Sequence, residues 1–191
     1  MDKLGLTLAH KHGMWFGVLV DAQNRLVASA FLRDRQGLKN YLDRYGRKVV
    51  GFQPVEMKHE FAEDMTMLFE GLRAKSTLSF SSEPVSSFQK QVYAVLTKVP
   101  RGKVTEYGLI AKTIRSHPRA VGTAVASNPW PLFVPCHRVV PRNLAIGNYS
   151  MNGHPSLEGS RVKRELLERE GVPFKSGRVA PSAVWVPPGA R

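Results

Sequence analysis

The residues best suited to do chemistry sit together. Pro135-Cys136-His137-Arg138-Val139-Val140 places the only cysteine of the chain directly before a histidine. A thiolate is a potent nucleophile, and an imidazole can take the proton that a thiol must lose. A free thiol with a pKa of ~8.5 is only a few per cent ionised at neutral pH, so such chemistry needs a base. A lone cysteine is otherwise most often an inert, small buried hydrophobe, and composition alone leaves that alternative standing. Read as an extended segment, neighbouring side chains point to opposite faces, so Cys136 would reach His137 through a bend or a bridging water. One cysteine excludes an intramolecular disulfide framework and a multi-cysteine zinc site, and it suits a reducing compartment.

Charge suggests the partner. The 191 residues carry a formal net charge of +13. Residues 1–85 hold 12 Lys/Arg against 10 Asp/Glu, whereas residues 86–191 hold 16 against 5 and no aspartate. A basic half-chain is the electrostatic footprint expected for a polyanion. Hydrophobic residues at 42% and charged residues at 23% exclude disordered and collagen-like chains. No apolar run approaches the roughly 20 residues that span a bilayer. The expectation is therefore a nucleic-acid-binding protein without a membrane segment or signal peptide, cytoplasmic, or nuclear in a eukaryote.

Elements must position these groups. Leu4–His10, Met14–Val20 and Arg25–Leu32 read as strands, and apolar residues at helical spacing predict helices over Arg35–Tyr45 and Lys58–Leu72. The Ser-rich stretch 75–86 marks a domain boundary. The predicted organisation is an α/β scaffolding domain over 1–80, a small antiparallel sheet plus helices. A mainly α, winged helix-turn-helix-like domain over 81–191 follows. Ser87 is positioned to cap a helix with Phe88, Val92, Val95 and Leu96 on one stripe, and Thr105 to cap a helix over Glu106–Ile114. Pro118 suits the first turn of a helix ending at Ser127, completing a helix-turn-helix at about 105–127. That second helix carries one arginine, Arg119, and a run of small residues including Ala120, Gly122 and Thr123. A major-groove reader usually displays several Arg, Lys, Asn or Gln side chains. Small residues fit close approach to a minor groove with extrusion of a base, or else tight helix–helix packing.

The string from Pro135 to Val140 resembles the active-site signature of the O6-alkylguanine-DNA alkyltransferases. Arg119-Ala120-Val121-Gly122 followed by Asn128-Pro129 resembles that family's recognition helix and asparagine hinge. Gly102-Lys103-Val104-Thr105-Glu106-Tyr107 resembles the start of its helix-turn-helix. Gly147-Asn148-Tyr149-Ser150 resembles its substrate loop, and Leu166-Leu167-Glu168-Arg169-Glu170-Gly171 its closing helix. The likeness is strong over about residues 85–172. Residues 1–80 agree only in length and in strand-then-helix order.

The resemblance implies irreversible, single-turnover transfer of an alkyl group from guanine O6 to Cys136, with no metal or organic cofactor. It implies a Cys–water–His–Glu relay through His137 and Glu170, with Asn128 holding the turn and Tyr107 donating to N3 of the leaving guanine. The partner would be duplex DNA containing O6-alkylguanine, approached from the minor groove by a monomer. Arg119 would fill the space of the flipped base, and Ala120, Gly122, Thr123 and Arg138 would line the DNA contact. Tyr149, Ser150, the Val139 carbonyl and Met151 would form the guanine pocket.

The sequence departs from the pattern at Met151–Gly159, where a longer, bulkier loop replaces a Gly-Gly pair, so Met151 is expected to narrow the pocket mouth. Some relatives bind zinc through N-terminal cysteines and histidines; residues 1–85 contain no cysteine, and His10, His12 and His59 are expected to be ordinary histidines. Whether Phe174 and Trp185 of the Pro-rich tail pack back on the domain is left open. Two rival readings remain: a DNA-binding regulator or damage sensor without transfer chemistry, and a Cys-His hydrolase or acyltransferase.

Overall fold

The computed structural model describes residues 4–73, 79–81, 85–152 and 155–190, so much of the expected boundary at 75–86, and Gly153-His154 of the long loop, lie outside the described residues. The chain divides into two compact units, Met1–Val85 with Pro129–Phe133, and Ser86–Asn128 with Val134–Arg191.

In the first unit, β1 (Gly5–Lys11), β2 (Met14–Val20) and β3 (Leu26–Leu32) form an antiparallel meander. His12 and Gly13, at φ of 50° and 70°, make a two-residue turn whose twist suits a hairpin. α1 (Arg35–Tyr45) starts at Asp34, whose carboxylate accepts from the Gln36 and Gly37 N–H groups. It buries Leu38 and Leu42 in a cluster with Leu6 and Leu19. Gly17 permits this closeness, since a Cβ there would lie 2.4 Å from a Leu42 methyl. A single π-helical turn over Gly46–Val50 then leads to β4 (Val55–Glu56), which pairs parallel with β1. The sheet, ordered β3-β2-β1-β4, is therefore mixed rather than antiparallel as the sequence predicts. A two-residue strand exposed on both faces carries no alternation to read. α2 spans Phe61–Phe69, shorter at both ends than expected, and its buried stripe includes Phe61, Met65 and Phe69. His12 bonds to Glu70, His59 bonds to Asn24, and the His10 ring lies tilted against Trp15.

The second unit begins with α3 (Ser87–Leu96). Its cap is Ser86 rather than Ser87: the Ser86 hydroxyl accepts from the Gln89 N–H while the Gln89 side chain accepts from the Ser86 N–H. β5 (Thr105–Glu106) pairs parallel with β6 (Val139–Val140). α4 spans Tyr107–Thr113 with Glu106 at its cap position, so Thr105, expected to cap it, lies instead in a strand with its hydroxyl buried. α5 (Pro118–Ala126) follows, with Pro118 in its first turn and His117 Nδ1 accepting from the Arg119 N–H. β7 (Tyr149–Ser150) pairs with β8 (Pro155–Ser156) beside α6 (Leu157–Arg169). The tail is folded. β9 (Phe174–Lys175) and β10 (Arg178–Val179) form a hairpin, and the Trp185 N–H donates to the Val104 carbonyl at 2.7 Å. Val172, Val179 and Ala183 share a core with Val104 and Leu167, with Phe174 packed against it, whereas Trp185 is half-buried and tied through its backbone.

Candidate active site

The local chain around Cys136 is a sequence of tight turns. Pro135, at φ −79° and ψ 65°, sits at the centre of an inverse γ-turn, closed by the Cys136 N–H donating to the Val134 carbonyl at 2.7 Å. Proline is preset for that φ. Asn128 reaches across six residues and donates from Nδ2 to the same Val134 carbonyl at 2.9 Å, and its side chain also bonds to Cys136. Cys136–Arg138 then forms one 3-10 turn rather than an extended segment. With three residues per turn, Cys136 and His137 diverge by about 120° rather than lying on opposite faces.

His137 is buried, and its Nε2 lies 2.9 Å from Glu170 Oε1 at the C-terminal end of α6. Burial lowers the His137 pKa, with the Glu170 carboxylate opposing it. Burial would raise Glu170, but hydrogen bonds and charge from His137 and Arg138 outweigh it and hold its carboxyl at about 2. A carboxylate only accepts, so this hydrogen bond assigns the imidazole proton to Nε2 and leaves Nδ1 as an acceptor. Nδ1 is buried and has no hydrogen-bond partner among the described residues.

Arg138, expected at the DNA contact, also has partners inside the fold. Its Nε and Nη2 donate to the two Glu170 oxygens at 2.8 and 2.7 Å, and Nη1 donates to the Val99 carbonyl at 2.8 Å. Three of its five N–H donors are committed inside the fold, so Arg138 clamps the carboxylate that orients His137.

Burial also pushes the Cys136 thiol up, opposed by Asn128, the Lys163 charge and the nearby Tyr149 hydroxyl. Lys163 is the residue that sequence reading missed. Its ammonium is buried and donates to the Val139 carbonyl at 2.7 Å, and burial brings its pKa down to about 8. The available signal was a lysine inside the buried stripe Gly159, Val162, Leu166, Leu167 of α6. Gly159 was missed too: a Cβ there would lie 2.1 Å from the Tyr149 carbonyl oxygen, so only glycine lets α6 close on β7.

The remaining candidates fall into two groups. Tyr149, Val139 and Met151 are buried, and the buried Ser150 hydroxyl has no hydrogen-bond partner among the described residues. Tyr107, first residue of α4, has its hydroxyl pKa raised by burial and by Cys136. Arg119, Ala120 and Thr123 are exposed on α5, and a Cβ added at Gly122 would meet nothing within 4 Å. Val121, Ala124 and Val125 face inward instead. The small residues at 120, 122 and 123 therefore line an open face and not a helix–helix contact. Among the described residues, no group of three or more His, Cys, Asp or Glu side chains is disposed to hold a metal ion.

A family model described as the DNA-binding domain of 6-O-methylguanine DNA methyltransferase matches residues 87–172. The methylated-DNA–protein-cysteine methyltransferase of Thermococcus gammatolerans is 36% identical over 166 residues, covering 83% of this chain and 90% of that protein. The namesake from Thermococcus kodakarensis is 35% identical over 164 residues, at 83% and 90% coverage. A crystal structure of the O6-methylguanine-DNA methyltransferase from Pyrococcus kodakaraensis superposes with a TM-score of 0.67 at 32% identity, covering 90% of this chain and all of that one. With its only cysteine held between Pro135 and the His137–Glu170 pair, and with full-length relatives of this likeness, the chain belongs to the family of methylated-DNA–protein-cysteine methyltransferases.

Proposed function

We propose that this protein removes alkyl groups from guanine O6 in duplex DNA by taking them irreversibly onto Cys136. The observation that carries this reading is the His137 tautomer. With Nε2–H donating to the Glu170 carboxylate, Nδ1 is a buried acceptor on the residue adjoining the thiol. Burial raises the Cys136 pKa, so the thiol stays protonated at neutral pH unless a base assists. In the proposed step the Cys136 proton passes through a bridging water to His137 Nδ1, and the imidazolium is held by Glu170. The sulfur attacks the alkyl carbon in line, the S–C bond forms, and the O6–C bond breaks with its electrons moving onto the guanine. Tyr107 supplies a proton or hydrogen bond at N3, offsetting the developing negative charge. The thioether has no hydrolytic exit, so each chain acts once.

The base must leave the duplex to be reached. We read α4 and α5 as a helix-turn-helix whose open, small-residue face enters the minor groove, with Arg119 filling the space of the flipped base. Tyr149, the Ser150 hydroxyl and N–H, and the carbonyls of Cys136 and Val139 would hold the guanine. Lysines and arginines of the basic second half supply sequence-independent phosphate contacts. A monomer working in the cytoplasm, or the nucleus of a eukaryote, with residues 1–80 as scaffold, completes the proposal.

The test is the intact mass of the protein after incubation with a duplex holding one O6-methylguanine, followed by peptide mapping. One added methyl on the Cys136 peptide, with guanine restored in the DNA, is the expected result. An unchanged mass with tight lesion binding would point to damage sensing. Cys136→Ala should lose transfer and keep DNA binding, whereas Arg119→Ala should weaken repair in duplex DNA while sparing reaction with the free base.

A further inference from the structure

Within the first unit, β3 is an edge strand of the sheet, and its outer side is met by the segment that leads to the nucleophile. The Ser29 N–H donates to the Pro129 carbonyl at 2.8 Å, and the Ser29 hydroxyl donates to the Pro131 carbonyl at 3.0 Å. Trp130 Nε1 donates to the Leu26 and Val27 carbonyls at 3.1 and 3.0 Å. Its ring also lies against Phe80, with centroids 4.8 Å apart, and Phe133 meets Phe61 edge-on. Ser29 and Trp130 are both buried, so these bonds are shielded from water.

One residue of this segment is strained. Leu132 is buried at φ +73°, in the left-handed region that a branched-chain residue rarely adopts. Such a conformation persists only where the surroundings over-determine it. The peptide group entering Leu132 carries the Pro131 carbonyl, the atom that the Ser29 hydroxyl grips. Cys136 follows four residues after Leu132, through the rigid Val134-Pro135 turn.

We infer that Ser29 and Trp130 are positioning residues for alkyl transfer: they hold Leu132 in its left-handed turn and thereby fix where the Cys136 turn begins. A strand serine and an indole, more than a hundred residues before and six residues before the thiol respectively, thus act on the reaction without touching substrate. The inference rests on the proposed alkyl transfer at Cys136.

The experiment measures the first-order rate of methyl transfer by intact mass for wild type, Ser29→Ala, Ser29→Thr and Trp130→Phe. Affinity for an undamaged duplex is measured in parallel. Displacing a reacting group by about an ångström costs on the order of a hundredfold in rate, so Ser29→Ala should transfer about ten- to a hundredfold more slowly. Its affinity for undamaged duplex should stay within about twofold, because the DNA-facing residues are elsewhere. Ser29→Thr, which keeps the hydroxyl, should recover most of the rate. Trp130→Phe keeps the ring and loses the N–H, so it should behave as Ser29→Ala does and stands in should that variant not fold. Wild-type rates in both Ser29→Ala and Trp130→Phe, or rate losses matched by equal losses of DNA affinity, would overturn the positioning role. Absence of transfer in the wild type would instead overturn the proposed function, so the two failures are told apart.

Discussion

Gly159 and the Tyr149 carbonyl approach so closely that a Cβ at 159 would lie 2.1 Å from the oxygen. A helix that carries Lys163 and ends at Glu170 is thereby set directly against the strand that carries Tyr149 and Ser150. Gly159→Ala must push β7 away, because the obstructing atom is backbone and cannot swing aside. Overpacking of this kind costs about 1–3 kcal/mol. The expected outcome is a stability loss in that range by denaturant unfolding, together with a transfer rate reduced more than DNA affinity.

Lys163 is expected to support the Cys136 thiolate through its charge. That charge lowers the Cys136 pKa, so Lys163→Met should reduce the thiolate fraction at fixed pH and slow thiol alkylation at pH 7. Reaction of the unique cysteine with iodoacetamide, followed by mass against pH, reads this without DNA. An unchanged thiol titration would assign Lys163 to holding the Val139 carbonyl alone.

The acid side of the pH profile follows from the relay. His137 is held below its ordinary value of 6.5 by burial, so it remains a neutral base at pH 7. The transfer rate should therefore be level down to about that ordinary value and fall only below it. Glu170 governs stability in a different window. Its carboxyl stands at about 2 in the fold against an ordinary 4.5, so the ionised form is favoured by folding. That contribution is fully present above pH 4.5 and drains away as pH falls toward 2, amounting to about 3 kcal/mol. Glu170→Gln should be less stable at pH 7, and urea midpoints of the two proteins should converge as pH approaches 2.

Met151 is buried directly after Ser150, where a small residue would leave room beside the proposed guanine pocket. Inactivation by O6-benzylguanine should be slow in the wild type and faster in Met151→Gly by about tenfold, the effect of one well-filled apolar contact of 1–2 kcal/mol. Equal inactivation rates would remove Met151 from control of alkyl size.

The long elements were legible because their patterns are local. Met14–Val20 and Arg35–Tyr45 appear where strand composition and helical spacing place them. Some errors came where two neighbours fit one local rule, and others where a distant segment decides a local choice. Ser86 and Ser87 both satisfy the rule for a helix cap, and the reciprocal bond with Gln89 selects the first. Thr105 reads as a cap until Val139, far along the chain, claims its backbone as a strand partner. At the site, Cys136 and His137 announce themselves as a dipeptide. Lys163 and Gly159 do not, because their value lies in what α6 touches. Arg138 looks like any basic residue of a DNA-binding half until Glu170 is seen to occupy it.

The discontinuity of the first unit limits how the chain can be divided. A fragment ending at Val85 would lack Pro129–Phe133 and so leave the outer edge of β3 without the partners of Ser29 and of the Leu26 and Val27 carbonyls. Bare strand edges recruit one another, so the excised fragment is expected to self-associate. A single cut cannot separate the two units cleanly, and any exchange of one unit between relatives must carry the five residues ahead of the Val134-Pro135-Cys136 turn along with it.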